Sequence, residues 1–171
     1  MDYRDHVFMK MAYVYMSGDV MKKYEAAIAA CGWQGTYLFN QFLASFAGRN
    51  LDYYRQVLAT ASAAMKVSET ELYDLLRSPE EPEFPNYAEA MPDYGQSPLA
   101  SVVSVSANKE DRRRLGRFKC SGRNAVVLRL AALVERQSSP LTLSRIIHWH
   151  LSEYWDRIYA PQIENDFNSK L

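Results

Sequence analysis

Residues 8–19 read FMKMAYVYMSGD: they alternate as a β-strand does and then reach a Ser-Gly-Asp that favours the start of a helix. Within them, YVYMSG at 13–18 has a counterpart 104 residues later, RFKCSG at 117–122. In both segments, inward apolar residues alternate with outward residues before Ser-Gly opens a helix. The sequence therefore predicts two short strands that lie far apart in the chain.

Helical periodicity follows each strand. After the first strand it predicts a helix in SGDVMKKYEAAIAACG at 17–32, which Gly32 ends, and a second helix capped by Thr36 and ended by Gly48. After the second strand it predicts an apolar helix over 124–137 and a long last helix from a Thr142 cap. The halves match again in the last helix at an offset of 108, and four extra residues are about one helical turn. The order strand, helix, helix thus occurs twice.

The second strand has a competing assignment. RLGRFKC at 114–120 preserves the Ser-Gly correspondence and is preferred, whereas SVVSVSA at 101–107 also alternates like a strand. If SVVSVSA were the strand, the basic segment behind it would be helical.

Between the two halves lie helices predicted over 51–65 and 68–77, the second with a Ser68/Glu71 capping box, and then a proline-rich segment. Five of the seven prolines fall between residues 79 and 98, which predicts an extended acidic linker. The predicted organisation is a first unit at 1–49, additional helices at 50–78, a linker at 79–100 and a second unit with a C-terminal tail at 101–171.

Charge is balanced in total but not in distribution. The chain has 20 basic and 20 acidic side chains, yet 68–95 is strongly acidic and 109–123 strongly basic, as is typical of proteins with an anionic partner. Two cysteines without metal-ligand spacing indicate neither a disulfide framework nor a metal site, and no cofactor motif occurs. Without a visible signal peptide or membrane span, a cytoplasmic protein with no membrane partner is expected.

The repeated strand-helix-helix order resembles the ribbon-helix-helix (MetJ/Arc/CopG) superfamily. That resemblance implies a fold that is mainly α with a two-stranded antiparallel β-ribbon, here a tandem ribbon-helix-helix pseudo-dimer made by one chain, although a homodimer stays open. It also implies a sequence-specific protein that binds double-stranded DNA with the ribbon in the major groove.

Alternation along the strands then predicts which residues contact DNA. The base-reading residues would be Met11, Tyr13, Tyr15, Leu115, Arg117 and Lys119. The resemblance places phosphates at the N-terminus of each second helix, and nearby arginines would add attraction. The predicted phosphate residues are Gly35, Thr36, Leu143, Ser144, Arg112, Arg113, Arg114 and Arg123. Tyr13 and Tyr15 have an alternative role, which is to cover a neighbouring helix.

Single-chain fusion of two units is similar to accessory proteins of conjugative relaxosomes and of T-DNA transfer, so a relaxase is a possible partner. A transcriptional repressor of a plasmid or mobile element is the alternative, and a third is an antitoxin-like protein-binding module that uses the acidic segment. An enzyme is not expected, because no acid, base and nucleophile can be assembled from the sequence.

Overall fold

The computed structural model describes residues 5–31, 35–82, 92–102 and 105–170. These residues are mainly helical and include a two-stranded antiparallel sheet, which confirms the predicted fold class at that level. In chain order the strands and longer helices are β1 (His6–Tyr15), α1 (Gly18–Cys31), α2 (Gly35–Arg49), α3 (Leu51–Met65), α4 (Glu69–Leu76), β2 (Arg112–Ser121), α5 (Gly122–Glu135), α6 (Ser139–Tyr154) and α7 (Ala160–Lys170).

β1 and β2 pair with each other across about a hundred residues of chain. The register places His6 opposite Ser121 and Tyr15 opposite Arg112. RLGRFKC therefore lies in the second strand, as preferred from the sequence. Of SVVSVSA, residues 101, 102 and 105–107 form no strand, and residues 103 and 104 lie outside the described part.

The ladder is interrupted near its middle. Ala12 and Leu115 have no partner in the register, although the residues on both sides of them pair. Beside this gap, Gly116 has a φ of +70°, in the left-handed region that strains any residue with a Cβ. Gly116 lies opposite Met11, and no atom lies within 4 Å of where its own Cβ would be.

The interruption changes which residues of β1 face the core. Before it the buried side chains are Val7, Met9 and Met11, and after it they are Val14 and Met16. Ala12 is exposed. The predictions that Met11 points outward and Ala12 inward are wrong, because they extended one alternation through a strand that changes phase.

The helices after β1 have nearly the predicted bounds. α2 buries the predicted face, whose members are at most 2% exposed: Leu38, Phe39, Phe42, Leu43 and Phe46. It starts at Gly35, so Thr36 lies inside the helix rather than capping it, and the side chains of both residues lie outside the described part. α4 begins as predicted, because the Ser68 hydroxyl accepts the Glu71 backbone N–H at 3.1 Å.

α5 is the central helix of the fold. It contacts both strands as well as α2, α3, α4 and α6, and eleven of its fourteen residues, from Gly122 to Leu133, are buried. Contact with so many elements explains why its sequence is apolar nearly all round.

α6 begins three residues before the predicted Thr142 cap. The Ser138 hydroxyl accepts the Leu141 backbone N–H at 3.4 Å, and Pro140 occupies the first turn. Thr142 is therefore a buried residue inside the helix. After Tyr154 the chain passes through a π-helical segment, Trp155–Tyr159, into α7, which packs on α1.

The C-terminal end of the predicted linker packs against the helices. Leu99 is fully buried, and its carbonyl accepts a hydrogen bond from Arg145 Nη2 at 2.7 Å. Arg145 also binds the Val102 carbonyl at 3.1 Å and the Glu135 carboxylate at 2.8 Å. One hydrophobic cluster takes residues from both halves of the chain, while the predicted domain boundaries stay a prediction.

Gly116→Ala should lower the free energy of unfolding by about 1 kcal/mol or more, because Ala strains at positive φ. Gly48→Ala is the matched control, since Gly48 also has open space around its Cβ position but lies in α2. That change should raise stability by up to about 1 kcal/mol. Urea unfolding of both variants measures the difference, and equal effects would contradict the role given to Gly116.

Candidate nucleic-acid interface

The side of the ribbon that faces away from the helices includes four cross-strand pairs of basic and aromatic residues. Residues directly opposite each other in an antiparallel pair project to the same face. The pairs are Phe8 with Lys119, Lys10 with Arg117, Tyr13 with Arg114 and Tyr15 with Arg112. These eight side chains, here named the outer face, comprise five bases and three aromatic rings.

At one end of the outer face, two cations flank an exposed ring. The Phe8 side chain is 44% exposed. The Arg117 guanidinium carbon lies 4.8 Å and the Lys119 Nζ 5.4 Å from the centroid of its ring. Cation–π contact therefore holds both exposed bases close to the ribbon.

At the other end the rings are half-buried. The guanidinium carbon of Arg112 lies 4.1 Å from the centroid of the Tyr13 ring, and Arg114 is exposed. The strand end is fixed from below, because the Tyr15 backbone N–H donates to Ser144 Oγ at 2.8 Å. Tyr13 therefore supports Arg112, and both tyrosines expose only part of their own surface.

Four of the six predicted base-reading residues lie on the outer face, namely Tyr13, Tyr15, Arg117 and Lys119. Met11 does not, because it is 2% exposed, and Leu115 is half-buried and packs against the core. Contact between these four residues and DNA bases remains a prediction.

Sequence reasoning missed Phe8 and Lys10, which face outward opposite Lys119 and Arg117. The signal was Lys10 itself. A charged residue between Met9 and Met11 indicates that the methionines point inward.

The predicted phosphate residues divide into several groups. Arg112 and Arg114 lie on the outer face, and Arg123 is exposed in the first turn of α5. Arg113 lies opposite Val14 and forms an ion pair with Glu25 of α1.

Leu143 and Ser144 are fully buried in the second turn of α6, so the prediction that they meet phosphate is wrong. The helix starts earlier than expected, and its first residue is Ser139. For Gly35 and Thr36, the prediction falls on side chains outside the described part.

A cleft of about 840 Å³ adjoins the Phe8 end of the outer face. Lys10, Arg117 and Arg77 contribute positive charge to its lining. Asp74, Glu80 and Glu81 contribute negative charge from α4 and the segment after it. This end of the ribbon is consequently flanked by carboxylates.

Two histidines of α6 are held neutral by their surroundings. His148 Nδ1 donates to the Ser144 carbonyl at 2.7 Å, so Nε2 accepts from Ser17, whose backbone nitrogen and hydroxyl lie at 3.4 and 3.2 Å. Burial lowers the pKa of His148, partly opposed by the Ser144 hydrogen bond. His150 Nε2 lies 2.8 Å from the Tyr159 hydroxyl, and burial lowers the pKa of His150 to about 4.

No described group is arranged for metal binding or thiol chemistry. Among the described residues, no set of three or more His, Cys, Asp or Glu side chains is placed to hold a metal ion. Burial raises the pKa of the Cys120 thiol to about 12, so it is protonated at neutral pH. The contact between Ser17 and His148 joins the β1–α1 junction to α6. No described helix is both long and apolar enough to span a bilayer.

Lowering the pH should destabilise the fold through His150. The folded protein holds this ring neutral with a pKa of about 4, whereas the unfolded chain protonates it near pH 6.5. The stability it contributes is present above pH 6.5 and is lost as the pH falls towards 4, by roughly 3 kcal/mol at most. Urea unfolding at pH 7 and pH 4.5 should show a smaller loss in His150→Gln than in the unaltered protein. Equal losses in both proteins would contradict the assignment.

Comparison with known proteins identifies no family for the chain. The chain matches no family model, no curated protein and no solved structure. The candidate interface therefore rests on the ribbon residues themselves.

Proposed function

We propose that this protein binds double-stranded DNA sequence-specifically, with the outer face of the ribbon in the major groove. The observation that carries the proposal is the composition of that face, which has five bases, three aromatic rings and no acid. A two-stranded ribbon has the width of the major groove, where base pairs present distinguishable donors and acceptors.

The roles of the individual side chains follow from their chemistry. Arg117, Lys10 and Lys119 carry donors that suit the O6 and N7 acceptors of guanine. Phe8 suits the apolar methyl group of thymine, and the hydroxyls of Tyr13 and Tyr15 suit acceptors at the groove edge. Arg112, Arg114 and Arg123 then add attraction to phosphates, which weakens as salt rises.

A tandem ribbon-helix-helix pseudo-dimer accounts for the pairing. A shift of 104 residues carries Phe8 onto Arg112 and Tyr15 onto Lys119, so it exchanges the two outermost cross-strand pairs. The same shift exchanges the pair Lys10–Arg117 with the pair Tyr13–Arg114. The two ends of the outer face thus correspond by position. In the outermost pairs the aromatic ring and the base exchange strands, and in the inner pairs Arg117 corresponds to Tyr13.

An asymmetric DNA site follows from that replacement. One inner pair has two bases, Lys10 and Arg117, whereas the related pair has Tyr13 and Arg114. Homodimeric readers mirror their own symmetry in a palindromic site, but these two ends would read different half-sites. An asymmetric site suits an accessory factor of DNA transfer, which works beside a relaxase at an origin or border. A repressor of a plasmid or mobile element would use the same face.

Lys10→Ala and Arg117→Ala should each weaken binding to a preferred duplex about tenfold or more, because each removes a base-edge contact. Arg55→Ala is the control, since Arg55 is exposed on α3 away from the ribbon. The measurement is fluorescence anisotropy with a duplex first obtained by selection from random DNA.

Random duplex should bind more weakly and with a steep salt dependence. If the selected sequence is unchanged in Arg117→Ala, the outer face is not the reading surface. If no duplex binds at low salt, the proposed function is wrong.

A further inference from the structure

The guanidinium of Arg129 is buried in α5 and only partly satisfied. The side chain is 1% exposed, and Nη1 donates to the carbonyls of Leu76, at 2.8 Å, and Ser78. Nε and Nη2 are buried without a hydrogen-bond partner. Burial lowers the pKa of Arg129, against the attraction of Glu81. Burying a cation with two unused donors lowers the stability of the fold and favours the binding of an anion beside it.

Glu81 fills the space beside Arg129 incompletely. Its Oε1 accepts a hydrogen bond from the Ser139 hydroxyl, whereas its Oε2 lies 3.7 Å from Arg129 Nη2, beyond hydrogen-bonding distance. The Glu81 side chain is 55% exposed. Its carboxylate is therefore able to leave by rotation of a half-exposed side chain, without movement of the core.

The same carboxylate lies at the N-terminus of α6. Ser139 is the first residue of this 16-residue helix and is fully buried. Ser138 already accepts the Leu141 N–H, and Pro140 has no N–H to offer. An anion at this position is favoured by the Ser139 hydroxyl, by the Ser139 backbone N–H and by the positive end of the helix dipole.

We propose that Arg129, Ser139 and the start of α6 form a phosphate-binding site, which the Glu81 carboxylate occupies in this structure. A tetrahedral phosphate has more acceptor oxygens than a carboxylate. In the proposed site, phosphate accepts hydrogen bonds from the Ser139 hydroxyl and from the unused Nε and Nη2 of Arg129, two donors arranged as a fork that matches phosphate geometry.

The cleft beside the ribbon supplies a route to this site. Glu81 lines that cleft together with Lys10 and Arg117, whose positive charges attract an anion, while Asp74 and Glu80 oppose it. Arg77 also lines the cleft, but it is paired with Asp5 at 3.1 Å. Free phosphate and a phosphate of bound nucleic acid share the required chemistry. The site stands whether or not the outer face binds DNA.

Inorganic phosphate tests the site directly. In Glu81→Ala it should bind at least about tenfold more tightly than in the unaltered protein, because no internal carboxylate has to be displaced. Thermal unfolding and calorimetric titration, with chloride at matched ionic strength as the reference, measure the stabilisation that binding produces. Glu80→Ala is the control, since Glu80 lines the same cleft and the contacts to Arg129 and Ser139 come from Glu81.

Adding Ser139→Ala to Glu81→Ala should weaken phosphate binding about tenfold while Arg129 stays in place. This second variant avoids replacing a buried arginine on which folding depends. If phosphate stabilises Glu81→Ala no more than chloride does, or if Glu80→Ala gains phosphate binding equally, the site does not exist as described.

Duplex DNA distinguishes the two sources of phosphate. If the site takes a DNA phosphate, Glu81→Ala should bind duplex more tightly than the unaltered protein, and inorganic phosphate should compete. If Glu81→Ala binds inorganic phosphate while no variant binds DNA, the site is correct for free phosphate and the proposed function is wrong. If DNA binds but phosphate does not, the proposed function stands and this site is wrong.

Discussion

The fold depends on the pairing of two single strands that lie about a hundred residues apart in the chain. A lone strand has no partner for its ladder groups and is not stable in water. β1 and β2 satisfy each other along His6–Tyr15 and Arg112–Ser121. Closing so long a loop has an entropic cost, and burial of inward residues such as Met9, Val14 and Phe118 on the helices offsets it.

The same pairing divides the ribbon into two surfaces with different chemistry. The inner surface joins the core around α5, while the outer face collects bases and aromatic rings from both strands. Neither strand alone has this composition: β1 supplies the three rings and Lys10, and β2 supplies the four other bases. The proposed binding surface therefore forms only when the two strands have paired.

The sequence predicted the parts of the fold that follow from local periodicity. The strand positions, the buried face of α2 and the Ser68 cap agree with the structure because alternation and capping are local properties. The change of phase beside Gly116 was not predictable from alternation, since it depends on a positive φ in the partner strand. Likewise, the start of α6 was misjudged because Ser138, Ser139 and Thr142 are all capable caps, and tertiary packing selects among them. Contacts such as that between Glu81 and Ser139 depend on segments far apart in sequence, which no local pattern encodes.

The central claim is that DNA meets the outer face of a ribbon made by one chain. Nuclear magnetic resonance of the isotope-labelled full chain, titrated with a selected duplex, tests it residue by residue. The largest changes should fall on Lys10, Tyr13 and Arg117 of the outer face, while α7, which packs on α1, should stay unchanged. Changes concentrated on α7 or on α3, with the ribbon signals unmoved, would contradict it.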